Sequence, residues 1–290
     1  MSHLLKSRSR NSAFTLIELL VVIAIIGILA SLATVGVMKV LERSKMVVAR
    51  IEVSQLEAAV SAAKLDLGNV EELPSIVELY SNGPSFQAAA NASNPNTLAT
   101  FNVLTKAFGK RWYSATGIQW LGSGVAASTY ATSPKQLSGM EALVFWLGGI
   151  PLYDASNKCI GFQGFSATRD APWDISNLKR KGPYYDFDTK RIVTDANTKI
   201  ASYLNTWEGP YVYISKSNYG SVIAGVSAYR KVNTTAPTSY YNANTFQIIS
   251  SGLDQSFGSG GYYQPPFAIG TPGYDDLANF SSTQLGKKDE

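Results

Sequence analysis

Histidine is almost missing from the chain: the single one is His3, inside a basic N-terminal stretch read below as a leader. A mature chain without histidine has no Ser-His-Asp triad, no Cys-His pair and no histidine zinc site. Cysteine is limited to Cys159, which excludes an internal disulfide and a cysteine metal cluster. A chain of 290 residues buries enough surface to fold without such bridges. No Gly-x-x-x-x-Gly-Lys-Ser/Thr loop is present, and no Gly-x-Gly-x-x-Gly follows a strand; Gly258-Ser-Gly-Gly reads as a flexible turn. Asp186 and Asp188, in Tyr-Tyr-Asp-Phe-Asp, have the alternating spacing of one strand face, usually a solvated one, rather than of a glycosidase pair. An enzyme is not expected.

Strong charge of one sign is also lacking. Of the net charge of +4, residues 1–68 carry +3, with eight Lys/Arg against five Asp/Glu. The remaining residues are almost balanced, at 17 against 16. No concentrated basic face is expected, so nucleic acid is not an expected partner. Proline is absent until Pro74.

What is present is a long apolar run behind a basic start. Met1 to Ala13 hold Lys6, Arg8 and Arg10 and no acid, the pattern of a targeting n-region. From Leu19 to Met38 there are twenty uncharged residues, enough to cross a bilayer core of about 30 Å as a helix. Membrane lipid is therefore an expected partner. Basic residues ahead of the run argue for a cytoplasmic start and an exported C-terminal bulk. Glu18 is the exception inside the apolar run. A carboxylate held at mid-bilayer costs on the order of 2.5–3.5 kcal/mol. A hydrated interfacial position avoids that cost, and so does a cation supplied from elsewhere, such as a neighbour's N-terminal amine.

Phe14-Thr15-Leu16-Ile17-Glu18 followed by Leu-Leu-Val-Val-Ile-Ala-Ile-Ile-Gly-Ile-Leu-Ala resembles the cleavage and methylation motif of type IV prepilins and type II secretion pseudopilins. The resemblance implies that a prepilin peptidase cuts between Ala13 and Phe14 and N-methylates Phe14. Glu18 then becomes the acid that pairs with the adjacent subunit's N-terminal amine during assembly. Ala13 stands where that family nearly always has glycine, and Val35 where many members have proline.

Past Met38 the sequence turns amphipathic. On a helical projection Val40, Leu41, Val47, Val48, Ile51, Ala58, Ala59, Ala62 and Leu65 share one face, opposite Glu42, Arg43, Arg50, Glu57 and Lys64. Gly68-Asn69 supplies a stop. The expected organisation is a leader over 1–13, a helix over 14–68 (transmembrane 14–38, stem 39–68) and a globular head over 69–290. In the head, Pro84 to Thr100 reads as a loop, a helix opens at Ser133-Pro134 and runs through Met140 to Leu147, and Tyr211–Ser215, Ser221–Ala224 and Thr245–Ser250 read as strands. The fold class is α+β: a long helical spine with a head that contains an antiparallel sheet.

Two head segments extend the resemblance. Trp207-Glu-Gly-Pro-Tyr211 is similar to the Trp-Gly-x-Pro-Tyr stretch of major pseudopilins, with Glu208 ahead of the glycine here. Phe246 to Asp254, with Asp275-Asp276-Leu-Ala-Asn279, is similar to their C-terminal calcium loop. The resemblance implies Ca²⁺ held by Asp254, Asp275 and Asp276, with Ser251 and the Leu253 carbonyl as further ligands; six to eight hard oxygens are the donors calcium needs. Taken without the resemblance, these acids are turn residues among glycines. Trp112, Trp120, Tyr262 and Tyr263 are either a contact surface or core residues. The function that the resemblance implies is a structural subunit of a type II secretion pseudopilus in the bacterial inner membrane, with its head in the periplasm. Its expected partners are prepilin peptidase, other pseudopilin subunits and the inner-membrane secretion platform. A type IV pilus pilin and a single-pass anchored binding domain are the alternatives.

Overall fold

The computed structural model describes residues 15–234 and 236–287. Ala13 and Phe14 lie outside the described residues. The chain divides between Met46 and Val47 into two compact units, although helix α1 (Leu16–Asp66) runs through the division.

In the first unit α1 shows no buried face among the described residues. Leu16, Leu20, Ile23, Ile28 and Leu32 are all exposed, an arrangement water would not favour for a row of large aliphatic side chains. By length and composition this helix can cross a membrane.

In the second unit the remainder of α1 is one-sided. Ala49, Glu52, Val53, Leu56, Ala59, Val60 and Ala63 are buried, at the three- and four-residue steps of a helix face, and Leu67 just past the helix end is buried too. This corrects the face expected from the sequence. Of the residues placed on it, Ala59 alone is buried, while Val47, Val48, Ile51, Ala58, Ala62 and Leu65 are exposed. The stem carries two apolar stripes: the projection centred on the one with Val47, Ile51 and Leu65, whereas the head packs against the other, where Val53, Leu56 and Val60 alternate with alanines. Gly68 (φ +98°) and Asn69 (φ +54°) take the left-handed conformation that ends the helix.

The rest of the unit contains β1 (Ile76–Leu79), α2 (Gly83–Ala89), α3 (Pro95–Phe108), β2 (Lys135–Ser138) and α4 (Met140–Gly148), then β3 (Pro151–Tyr153), β4 (Cys159–Phe162), β5 (Phe165–Ser166) and β6 (Arg180–Lys181). It continues with β7 (Ile192–Thr194), β8 (Ala201–Tyr203), β9 (Tyr211–Ser215), β10 (Val222–Ile223), β11 (Val226–Arg230), β12 (Phe246–Ser250), β13 (Gly260–Tyr262) and β14 (Leu277–Ala278). Four antiparallel pairs, β1–β2, β3–β4, β5–β6 and β7–β8, accompany two three-stranded sheets. One sheet is antiparallel, in the order β14-β12-β9; in the other, β10-β11-β13, the pair β11–β13 is parallel.

The β14-β12-β9 sheet is covered on both sides, and β9 and β12 are buried at every residue. Tyr211, Tyr213, Phe246 and Ile248 enter a core that also takes Val53, Leu56 and Val60 of α1 and Leu67 just past its end. Val212, Ile214 and Ile249 enter a second core with Ile223, Val226 and Tyr229. A strand buried on both faces needs continuous rather than alternating apolarity, which Tyr-Val-Tyr-Ile supplies.

Three further expectations are corrected. The segment Pro84 to Thr100 contains α2 and the start of α3: Asn82 caps α2 by accepting from the Ser85 amide (2.9 Å), and Pro95 opens α3. The helix expected to open at Ser133-Pro134 starts only at Met140, because Lys135–Ser138 pairs with β1 as strand β2; Trp112 and Trp120, by contrast, are fully buried in the main core, as the core reading has them. Asp186 and Asp188 lie outside any strand, and Asp188 caps a 3₁₀ turn by accepting from the Lys190 amide.

Candidate functional site

Glu18 begins α1. Its Oε2 accepts from the Thr15 backbone amide (2.8 Å) and the Thr15 hydroxyl (2.7 Å), while the Glu18 amide donates back to the Thr15 hydroxyl (3.3 Å). The pattern Thr-x-x-Glu is a capping box, which satisfies donors that a helix start otherwise leaves open. The sequence carried that signal, but the cost of the carboxylate in the apolar run is what drew notice to Glu18. No cation lies in an ion pair with Glu18 among the described residues. Its hydrogen bonds are met locally and its charge is not.

Glu52, on the same helix, was missed. It is buried among the apolar residues of the stem. Arg191 donates to both its oxygens, from Nη1 at 2.9 Å and Nη2 at 2.5 Å. The hydroxyls of Tyr185 (3.0 Å), Tyr203 (2.8 Å) and Tyr211 complete the cluster. Burial opposes ionisation, yet the Arg191, Tyr211 and Tyr203 hydrogen bonds and the Arg191 charge outweigh it and hold the carboxyl below its ordinary value. Burial and the neighbouring Glu52 charge push the Tyr185, Tyr203 and Tyr211 hydroxyls above theirs. The group is a closed network whose donors serve to hold one carboxylate. Its sequence signal is Glu52 as the one charge on the stripe Ala49-Val53-Leu56-Val60-Ala63.

The two head motifs meet at one corner. Leu204 and Pro210 bridge across the turn between β8 and β9, and Glu208 sits at φ +64° within it. Asn205 is buried and staples this turn to the end of β12. Its Oδ1 accepts from the amides of Trp207 (2.8 Å) and Gly209 (2.9 Å), and its Nδ2 donates to the Ser250 hydroxyl (2.9 Å). Ser251 is buried beside it, with Oγ 3.5 Å from that same nitrogen. Beyond Ser251 the chain turns at Gly252 (φ +62°), where a Cβ would stand 2.6 Å from the Asp275 carboxyl. Only glycine allows the two acidic segments this approach.

Asp275 Oδ2 accepts from the amides of Leu253 and Asp254 (3.2 Å for the latter), and Asp254 accepts from the Ser256 amide (2.8 Å). Asp276 is fully buried; its Oδ2 accepts from the Gly258 amide (3.0 Å) and its Oδ1 has no hydrogen-bond partner. Burial pushes the Asp276 carboxyl up to about 7 against the Gly258 hydrogen bond, with help from the Asp275 and Asp254 charges. Burial, and then the charge of Asp275, also raises Asp254. An orphaned buried oxygen beside two repelling carboxylates matches a hard cation in donor chemistry. Among the described residues no three acids converge as a ligand set.

Residues 8–34 match the family model described as the prokaryotic N-terminal methylation motif. The match covers the Ala13–Phe14 junction, Glu18 and most of the apolar run. It supports a type IV pilin-like subunit, and it implies processing by a prepilin peptidase and assembly with other pilin-type subunits. The apolar helix is consistent with a single-pass inner-membrane anchor. No curated protein and no solved structure matches the chain.

Proposed function

We propose that the chain is a structural subunit of a type II secretion pseudopilus, cut between Ala13 and Phe14, N-methylated on Phe14 and assembled in the inner membrane with its head in the periplasm. The methylation motif over residues 8–34 carries the reading. In it the uncompensated Glu18 charge receives the N-terminal amine of the adjacent subunit. The exposed stripe Val47, Ile51, Ala58, Ala62 and Leu65 is then covered by neighbouring helices. The Trp207–Tyr211 and Asp254/Asp275–Asp276 segments favour secretion over a true pilus, because it is major pseudopilins that they resemble. In this reading Asp254, Asp275 and Asp276, with Ser251 and the Leu253 carbonyl, hold Ca²⁺. The ion supplies the positive charge that lets these carboxylates sit together ionised.

A Glu18→Val chain expressed in its own host should reach the membrane yet fail to enter filaments, and outer-membrane protein export should stop. Normal export together with unchanged surface fibres in that variant contradicts the assembly role. Export that continues while surface fibres vanish replaces the pseudopilus with a pilus. Removing calcium with EGTA should lower the melting temperature of the full chain in detergent, since a ligand at a hundred times its Kd contributes about 2.7 kcal/mol. An unchanged melting temperature retires the calcium site.

A further inference from the structure

A cavity of about 840 Å³ opens beside β10 and β11, walled by residues that include Lys216, Tyr219, Ser221, Ser227, Arg230 and Asn244. That volume falls within the range of about 300–1,000 Å³ usual for small-ligand sites. A second cavity of about 760 Å³ shares Lys216 and Asn244 as a wall and adds Lys64, Lys106 and Glu71.

Four cations therefore line the groove made by these two adjoining cavities: Lys64 from α1, and Lys106, Lys216 and Arg230 from a head whose charges nearly cancel. The acids beside them are Glu71, ion-paired with Lys216 and 82% exposed, and Glu72, which accepts from the Ser217 amide at 3.3 Å. Lys106 donates to the Asn69 carbonyl at 2.8 Å. Arg230 has no carboxylate partner among the described residues: its Nη1 donates to the Thr234 carbonyl at 2.9 Å. Its Nη2 lies 3.8 Å from where a Cβ on Gly261 would stand, so this glycine flanks the guanidinium without pressing on it. A half-buried guanidinium without a carboxylate presents a planar fork matched to an incoming one.

The neutral wall narrows the class of ligand. Ser217, Ser221 and Ser227 contribute hydroxyls and Asn244 an amide, groups that both donate and accept as sugar hydroxyls do. Tyr219 and Tyr240 are buried and stacked on each other with centroids 4.8 Å apart, and the Tyr219 hydroxyl donates to the Asn242 carbonyl at 2.8 Å. They form a fixed apolar wall, but their faces are taken, so a single-stranded nucleic acid finds no stacking platform there. Inorganic phosphate would use the cations and leave the hydroxyls and most of the volume idle.

We propose that this groove binds an acidic oligosaccharide, its carboxylates on Arg230 and Lys216 and its hydroxyls on the serines and Asn244. The proposal stands apart from the secretion reading and from the calcium corner. The test uses the full chain in detergent micelles, titrated with a hexamer of mannuronate and followed by calorimetry. Saturable binding that weakens with added salt is expected, and Arg230→Gln should weaken it about tenfold, as loss of a charge-assisted hydrogen bond does. Lys216→Gln should act in the same direction. Arg111→Gln, which breaks a surface pair with Asp170, should leave affinity unchanged. If Lys216→Gln lowers the melting temperature by freeing Glu71, the double variant Ser221→Ala/Ser227→Ala supplies the second arm and should also weaken binding. Absence of saturable binding at millimolar hexamer overturns the proposal. Equal affinity for neutral mannohexaose, or an unchanged affinity in Arg230→Gln, overturns it too. Tighter binding of polyglutamate or of a single-stranded oligonucleotide would replace the saccharide with that class.

Discussion

Glu18 and Glu52 lie on one helix, both among apolar residues, and their carboxylates are satisfied in opposite ways. In the first unit, Glu18 is exposed and its hydrogen-bond partners all belong to Thr15. In the second, Glu52 is buried and held by an arginine and three tyrosines drawn from residues 185–211. A buried charge survives only when paired and fully hydrogen-bonded. Glu52 meets that condition within its own chain. Glu18 does not meet it within the described residues; under the proposed assembly it lies in lipid and its cation is the N-terminal amine of a second subunit. The same residue type thus anchors a helix inside one subunit at one site and, in the proposed assembly, receives a second subunit at the other.

The largest effect should come from Glu52. Glu52→Ala leaves the Arg191 charge and three hydroxyls without their acceptor, and should cost about 3–5 kcal/mol. It is measured by denaturant unfolding of the full chain in detergent, followed by tryptophan fluorescence. All five tryptophans lie beyond residue 100, so this signal reports the second unit. A loss below about 1 kcal/mol would break the comparison. Glu52→Gln keeps the shape but not the charge and should cost about 1.5–3 kcal/mol.

Acid should reproduce part of that loss. The folded Glu52 carboxyl lies below its ordinary value of 4.5, so the unfolded chain binds its proton more readily. Its contribution is complete above the unfolded value and drains away as pH falls through the lower folded one. The stability gap between wild type and Glu52→Gln should therefore narrow on acidification; a constant gap would contradict the network. The smallest effect on stability belongs to Glu18→Val. Unfolding of the second unit should change by less than about 0.5 kcal/mol, even though assembly fails. A large shift would mean that Glu18 serves the fold rather than the partner.

How much of this was readable in the sequence follows the same division. Glu18 stood out because a charge in an uninterrupted apolar run has no local excuse. Glu52 sits in Arg-Ile-Glu-Val-Ser, where a charge looks ordinary, and its partners come from residues that are distant in sequence and carry no motif. The stem's existence and its stop at Gly68-Asn69 were legible from periodicity and punctuation. Its buried face was not, because exposed Val47, Ile51 and Leu65 make an apolar stripe as hydrophobic as Val53, Leu56 and Val60, which face the core. Composition hid α2 and α3, since an Asn- and Ser-rich stretch resembles a loop, although Asn82 with Pro84 and Asn94 with Pro95 are helix-start signals. Strands β9 and β12 were legible because burial on both faces gives them unbroken apolar runs. The acidic corner was legible as two clusters, whereas the Asn205 staple that brings the Trp207 turn to it was not.

Mass spectrometry of the mature N-terminus, on protein purified from its own host, tests the central claim most directly. The account predicts a chain that begins at Phe14 and carries one N-methyl group, with a larger processed fraction in Ala13→Gly. A chain that begins at Met1, or at an unmethylated Phe14, would contradict it.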